Sequence, residues 1–377
     1  MKILLDCAII KQKGCIFAAM KHLVIRNLGP LKEADVELKR INVIIGSQSS
    51  GKSCVLKTAC YCTWVEKRIE LTQTADFFAK DGNFLNELER FHKLKGYIKD
   101  DTFVSYESDF MSFSYDNATK TFRFEWKEGR WNYRRSKVTY IPAERNLVAA
   151  IPNWFQVKFA DDNIRDFMAD WETARQATTN DLSVLNLGVS YHYDTNTKSD
   201  KVQVADGVTL DFTNTSSGLQ SLIPIYVHLR YLQIMLLGAV NTESVKGRQE
   251  KEILWKKILE NIDDKKEAMI TFGRYSTPHY CEIFLEEPEA NLFPPTQSRL
   301  VEWLLDMTKG EQPSNLFIAT HSPYILNAFM EKQDIDMTLL YTRMTEGQIT
   351  VKSATEQDFQ DIYDYGVDAF FNIETLG

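Results

Sequence analysis

Ile41-Asn-Val-Ile-Ile-Gly-Ser-Gln-Ser-Ser-Gly-Lys-Ser53 is an apolar run that breaks into a glycine-bounded loop closing on Lys-Ser. Its second part, Gly46–Ser53, satisfies the phosphate-loop pattern G-x-x-x-x-G-K-[ST]. Gly46 and Gly51 permit torsions and close approaches that a Cβ would block. The N–H groups of Ser47, Gln48, Ser49 and Ser50 come first. Those of Lys52, Ser53 and Cys54 follow at a helix start, so together they form a concave donor set for a nucleotide's phosphates. Lys52 is the residue to reach the β- and γ-phosphates, and Ser53 the hydroxyl to hold Mg²⁺. The required context is present, with Asn42–Ile45 reading as a buried strand and Cys54–Trp64 as a helix. A flexible Gly/Ser turn is the competing reading, but the pattern arises by chance in only about 1% of chains this long.

The 377 residues suffice for one large α/β domain or two lobes with a substantial core. Hydrophobic content of 44% and aromatic content of 12% are those of a globular chain. A formal charge of −8 argues against a uniformly basic nucleic-acid coat while allowing a local basic groove. The cysteines at 7, 15, 54, 60, 62 and 281 lack paired metal spacing, so buried thiols in a reducing cytosol are expected. The longest apolar helix, about Leu219–Val240, is interrupted by His228, Arg230 and Gln233, and no membrane span is expected. Asp6, Lys11 and Lys13 make a cleaved signal peptide a poor fit. Residues 1–19 read instead as a poorly ordered extension or the product of an upstream start codon, and a domain begins near Met20.

Leu23–Ile25, Ala34–Leu38 and Ile41–Ile45 read as strands, with a turn at Asn27–Pro30. Cys54–Lys95 carries helical spacing broken around Asp81–Asn83. Residues 102–141 suggest an antiparallel meander ending in a strand at Val138–Ile141. Pro152–Asn186 looks mainly helical, and Val189–Phe212 reads as a hairpin with a second turn at Asp206-Gly207. Residues 243–272 suggest a solvated, charged helical insertion. From Glu282 to Thr342 strands alternate with helices, which implies a parallel or mixed sheet flanked by helices.

Three later segments add chemistry. Cys281-Glu-Ile-Phe-Leu-Glu-Glu-Pro-Glu-Ala-Asn-Leu292 is an apolar strand ending in three acids within four positions. Carboxylates at the C-terminal edge of an open α/β sheet are costly unless a cation or water uses them. Glu286 is then the indirect Mg²⁺ ligand and Glu287 the general base for water, unless the stretch only prepares the helix near Pro295. Asn315–Pro323 is a second strand running into Thr-His-Ser-Pro, where His321 is either structural or bonded to the γ-phosphate or water. Asn214-Thr-Ser-Ser-Gly-Leu-Gln-Ser221 precedes the apolar helix and reads as a cap or as a second anion site.

In this order the segments resemble the ATP-binding-cassette superfamily, and within it the RecF/SMC/OLD-type ATPases. The resemblance covers residue 20 to about 342. It implies a P-loop α/β head with an antiparallel β subdomain, a helical and β insertion over about 61–200 and the charged insertion, followed by a segment 343–377 packed on the head. It implies ATP and Mg²⁺ as cofactors, Lys52, Glu287 and His321 in catalysis, and Ser53 and Glu286 on the metal. Ser216, Ser217 and Gly218 would contact a nucleotide held by the opposite protomer, since such heads fire as ATP-sandwiching dimers. The chain departs from the pattern at Glu286, where aspartate is usual, and at Thr215, where leucine is usual; Gln73 is an unpersuasive Q-loop. Tyr140-Ile-Pro-Ala-Glu-Arg-Asn resembles a segment of this branch, with Arg145 reaching phosphate or the facing protomer, or else forming a surface salt bridge.

The first expectation is therefore a cytoplasmic ATPase whose ATP-driven dimerisation controls a separate effector such as a nuclease or toxin, in anti-phage defence or DNA repair. Only about 35 residues follow Leu340, too few for a fused nuclease. The second is a direct DNA-binding ATPase, from the basic and aromatic run Arg130-Trp-Asn-Tyr-Arg-Arg-Ser-Lys137. The third, a transporter ATPase subunit, is disfavoured by the Glu-Glu-Pro-Glu-Ala-Asn form.

Overall fold

A computed structural model describes residues 21–236, 245–310, 313–332, 336–345 and 347–365. The N-terminal extension and residues 243–244 of the charged insertion lie outside the described residues. The chain opens with strands β1 (Lys21–Leu28), β2 (Leu31–Leu38) and β3 (Ile41–Ile45), followed by helices α1 (Lys52–Thr72), α2 (Asp76–Ala79) and α3 (Asn83–Phe91). Next come β4 (Ile98–Glu107), β5 (Met111–Asp116), β6 (Thr121–Trp126) and β7 (Ser136–Ile141), then α4 (Leu147–Ala150) and α5 (Asn163–Ala177). Strands β8 (Leu182–Ser183), β9 (Ser190–Asp194), β10 (Ser199–Ala205) and β11 (Val208–Asp211) precede α6 (Ser217–Leu236), α7 (Val245–Leu259) and α8 (Lys265–Ser276). The last part alternates β12 (Tyr280–Glu286), α9 (Pro294–Asp306), β13 (Asn315–Ala319), α10 (Pro323–Met330), β14 (Met337–Thr345), β15 (Gln348–Ser353) and α11 (Glu356–Tyr365).

Eleven strands form one mixed sheet in the order β6-β5-β4-β1-β2-β15-β14-β3-β13-β12-β7, and β11-β10-β9-β8 form a small second sheet. The expected α/β class with an antiparallel part is thus present. Strands β14, β3, β13, β12 and β7 are mutually parallel, whereas β6 to β2 are antiparallel. The period-2 rule divides each central strand between two cores. Ile41, Val43 and Ile45 of β3, with Cys281, Ile283 and Leu285 of β12, enter the core shared with α5, α6, α9 and α10. Ile44, Phe284 and Phe317 point the other way, into the core under α1 and α3.

Four readings needed correction. The meander is only β4-β5-β6; β7 crosses the molecule to pair in parallel with β12. Its closing residues Thr139, Tyr140 and Ile141 are all buried, as a parallel strand covered on both faces requires. Within 152–186 the only α-helix is α5, whose N-terminus Asp162 caps by accepting from the N–H groups of Ile164 and Arg165. The charged insertion is not simply solvated, since Leu254, Ile258, Ile262 and Tyr275 close a third core with Tyr133. Finally, β15 pairs antiparallel with β14 and parallel with β2, so residues past 342 join the two halves of the sheet.

Candidate functional site

Strand register assembles the site. Glu286 stands opposite Ala319, and Ala319 opposite Ile44, so β12, β13 and β3 end level. Their next residues leave the sheet together at its C-terminal edge, where open α/β sheets bind ligands. The chain turns bind them further: Glu287 N–H donates to the Ala319 carbonyl at 2.8 Å, and Thr320 N–H to that of Ile44 at 3.0 Å.

The phosphate loop leaves β3 at Gly46, with φ 152°, and enters α1 at Gly51, with φ 84°. A Cβ at Gly46 would lie 1.8 Å from Thr342 Oγ1, so glycine is required there. Thr342, on β14, is hydrogen-bonded to the Ser50 hydroxyl and lies 3.3 Å from the Ile45 carbonyl oxygen. It is a loop-shaping residue for which the sequence carries no signal. Ser47, Gln48 and Ser49 are exposed, and Ser53 is half-buried. No side chain caps α1 and no acid occupies its first turn, which leaves its N–H groups for an anion. Lys52 Nζ donates to the carbonyls of Gly46 (2.9 Å) and Ser47 (2.6 Å), lying along the loop it would serve. Burial pulls its pKa down to about 8, opposed by the charges of Glu287 and Glu289. Cys54 turns inward, its Sγ 3.9 Å from the Leu28 carbonyl, and burial pushes its thiol up to about 12; only its backbone can serve the loop.

The three acids separate into three situations. Glu286 is buried, with Lys57 Nζ 4.0 Å away. Glu287 adopts a left-handed backbone, φ 42°, and its carboxylate lies 3.5 Å from His321 Nε2. A non-glycine residue in that region is uncommon, and such strain collects at functional sites. The His321 contact, against burial and with help from the charges of Arg145 and Lys52, holds the Glu287 carboxyl below its ordinary range. Glu289 is committed elsewhere: it accepts from Thr320 Oγ1 at 2.8 Å and His321 N–H at 2.7 Å, fixing the segment that carries His321. Ser322 caps α10 and donates to Gln297 at 2.5 Å. The sequence shows Glu289 only as one more acid, and Gln297 carries no motif.

Arg145 neither lies on the surface nor reaches the phosphate loop. Buried completely, it donates to the carbonyls of Ser221 (3.0 Å), Pro142 (3.3 Å), Glu286 (2.9 Å) and Glu287 (2.8 Å). Burial lowers its pKa to about 10, and the nearby Glu289, Glu287 and Glu286 oppose that shift. It is a strut tying the end of β12 to α6. Gly218 meets the same region, since a Cβ there would approach the Asn291 carbonyl to 3.0 Å. Asn291 in turn donates to Ser221 Oγ at 2.9 Å. Ser216 caps α6 weakly through Leu219 N–H at 3.4 Å, while Ser216 and Ser217 remain exposed. Among the described residues no hydrogen bond joins Ser216–Gly218 to the phosphate loop of the same chain.

Gln73 is the left-handed C-cap of α1 and hydrogen-bonds Arg130, so it is no Q-loop. The basic run is largely spent internally. Arg130 stacks on Trp126 (3.8 Å) and Trp131 (4.4 Å), and Tyr133 is buried. Arg135 donates to the Ser276 carbonyl at 3.2 Å, and Lys137 pairs with Asp170 at 2.9 Å. Among the described residues no group of three or more His, Cys, Asp and Glu could hold a metal, and no helix is long and apolar enough to cross a membrane.

No protein-family model and no curated protein matches this chain. Solved structures do. The SMC head bound to the C-winged helix domain of ScpA aligns at 10% identity and TM-score 0.43, over 91% of this chain and 99% of that one. The SMC head domain from Thermotoga maritima aligns at 11% and 0.41, over 89% and 99%. The SMC head with an extended coiled coil bound to the C-terminal domain of ScpA, from Pyrococcus furiosus, aligns at 8% and 0.43, over 92% and 98%. At such distance the chemistry has to be read from this chain's own geometry. That geometry defines a mixed α/β protein with a phosphate loop beside an acid-and-histidine strand edge.

Proposed function

We propose that the protein is an ATPase of the ABC-type, RecF/SMC/OLD-like kind, which hydrolyses ATP to ADP and phosphate as a dimer of heads. The observation that carries this is the level ending of β3, β12 and β13, with Lys52, Glu287 and His321 leaving one sheet edge. The residues fit the substrate: an uncapped helix start, a loop glycine that no other residue can replace, and a lysine already lying on the loop. Ser53 and Glu286 would hold Mg²⁺, which when bound supplies charge neutralisation at the phosphates.

Glu287 accepts the proton of the attacking water at its carboxylate, and its lowered pKa keeps it in the accepting form at neutral pH. His321, 3.5 Å away, orients that carboxylate and faces the γ-phosphate. Lys52 leaves its loop carbonyls for the β- and γ-phosphates. Exposed Ser216 and Ser217, held by Gly218 against Asn291, serve the nucleotide of a second copy. ATP-driven closure then controls a separate effector, in defence or repair, and the genes beside this one would name it.

The test is Glu287→Gln. It should bind ATP normally, lose turnover by about 10²–10⁴-fold, and accumulate ATP-dependent dimers by light scattering. Turnover at the parent rate would remove Glu287 as the base, and a monomer at saturating ATP would remove the dimer.

A further inference from the structure

Lys57 lies on α1 four residues past Ser53, so both leave the same face of that helix. On β12, Phe284 enters the core beneath α1, and the period-2 rule sends Glu286 to the same side. There the two charges meet: Lys57 Nζ is 4.0 Å from Glu286 Oε1, with side chains 17% and 6% exposed. Tyr140, opposite Phe284 where β7 pairs with β12, brings its hydroxyl against the same carboxylate.

A buried carboxylate is costly unless paired, and Lys57 supplies the pairing here. Among the described residues no other lysine or arginine forms an ion pair with that carboxylate. Arg145 spends its donors on carbonyls, the Glu286 carbonyl included. Lys57 has equally little choice. His92, at the end of α3, stays neutral near it, burial first and the Lys57 charge second lowering its pKa to about 3. The Cys54 thiol, pushed up to about 12 by burial, is neutral too. Among these neighbours Glu286 alone carries the opposite charge.

Glutamate stands where the pattern has aspartate, and its extra methylene carries the carboxylate further from β12 toward α1. A carboxylate that already faces an ammonium has less charge left to attract a divalent ion, and salt screens a pair this buried only slightly. We propose that Lys57 is the resident counter-ion of Glu286. It is a positioning residue: it holds the carboxylate in place without metal and opposes Mg²⁺ once ATP is bound, so the metal is held weakly. Mg²⁺ then enters with the nucleotide's phosphates rather than ahead of them. This rests on the phosphate-loop reading above and extends it to how the metal is admitted.

Two measurements on the full chain test it. Thermal melting in EDTA without nucleotide reads the pair itself. Lys57→Met should lower Tm, and in a Glu286→Gln background the same change should lower it at most half as far. Electron paramagnetic resonance of Mn²⁺ reads the metal, with a non-hydrolysable ATP analogue bound and the protein in excess over it. Lys57→Met should tighten Mn²⁺ at least fivefold, while Lys57→Arg, which keeps the charge, should stay within twofold of the parent. Lys57→Gln replaces Lys57→Met in both measurements if that variant fails to fold. Additive melting shifts, or Mn²⁺ bound no more tightly by the uncharged variant, overturn the proposal; a lysine that only packs would give both. If the chain binds no ATP analogue, the phosphate-loop reading fails and the metal half of the proposal with it. The melting cycle still decides the pair in that case.

Discussion

Replacing Arg145 by Met removes the strut while keeping much of its volume. Four carbonyls lose their donor, those of Ser221, Pro142, Glu286 and Glu287, at 2.8 to 3.3 Å. Hydrogen bonds to a charged group are each worth about 1.5–3 kcal/mol, but the site is partly relieved when the buried charge itself goes. Breaking a buried network of this kind costs about 3–5 kcal/mol. With an unfolding entropy of about 2.1 cal/mol/K per residue, 377 residues give about 0.8 kcal/mol/K, so Tm should fall by about 4–6 °C. ATP turnover should fall as well, because the Glu287 carbonyl is one of the freed groups and its left-handed backbone is no longer held. Arg145→Lys should recover little, since one ammonium cannot span four acceptors. Scanning calorimetry beside a steady-state ATPase assay reads both effects. A Tm within 1 °C of the parent with a raised KM for ATP would refute the strut and restore a phosphate-contacting arginine.

Lys52→Ala should lose ATP affinity, and unchanged binding by calorimetry would remove the phosphate-loop reading. Gly46→Ala should destabilise the loop and abolish binding, because its Cβ would lie 1.8 Å from Thr342 Oγ1; adding Thr342→Ala should return part of the stability, the strain of φ 152° remaining. A purely additive double-mutant cycle would separate the two residues. Burial holds the His228 pKa at about 4 against 6.5 unfolded, so the unfolded chain takes up a proton first as pH falls. Stability should therefore drop from about pH 6.5 down to about pH 4, by about 2 kcal/mol at pH 5 from this group. Urea midpoints at pH 7 and pH 5 read it, and His228→Asn should shrink the difference.

The strand-loop-helix at 41–72 was legible because consecutive residues with fixed torsional demands make it, and no distant partner is needed. The same holds for the acid cluster and the Thr-His-Ser-Pro turn, each at the end of an apolar strand. Strand β7 was misread because parallel pairing leaves no local turn signal, and β15 was missed because six mostly polar residues bury only Ile349 and Val351. Glu289 and Thr342 carried no readable role and Arg145 suggested the wrong ones, since the contacts of Glu289 with Thr320, Arg145 with Glu286 and Thr342 with Ser50 span 31, 141 and 292 positions.

Sequence alone determined which chemical groups this chain can offer and which short stretches present them, because glycine torsions, strand periodicity and helix starts are local. Tertiary structure decided which of those groups meet. The order and register of the sheet level Ile44, Ala319 and Glu286, spend the basic run on internal contacts, and turn Arg145 into a strut. Pairing energies between strands hundreds of residues apart set that order, and no window of the chain contains them.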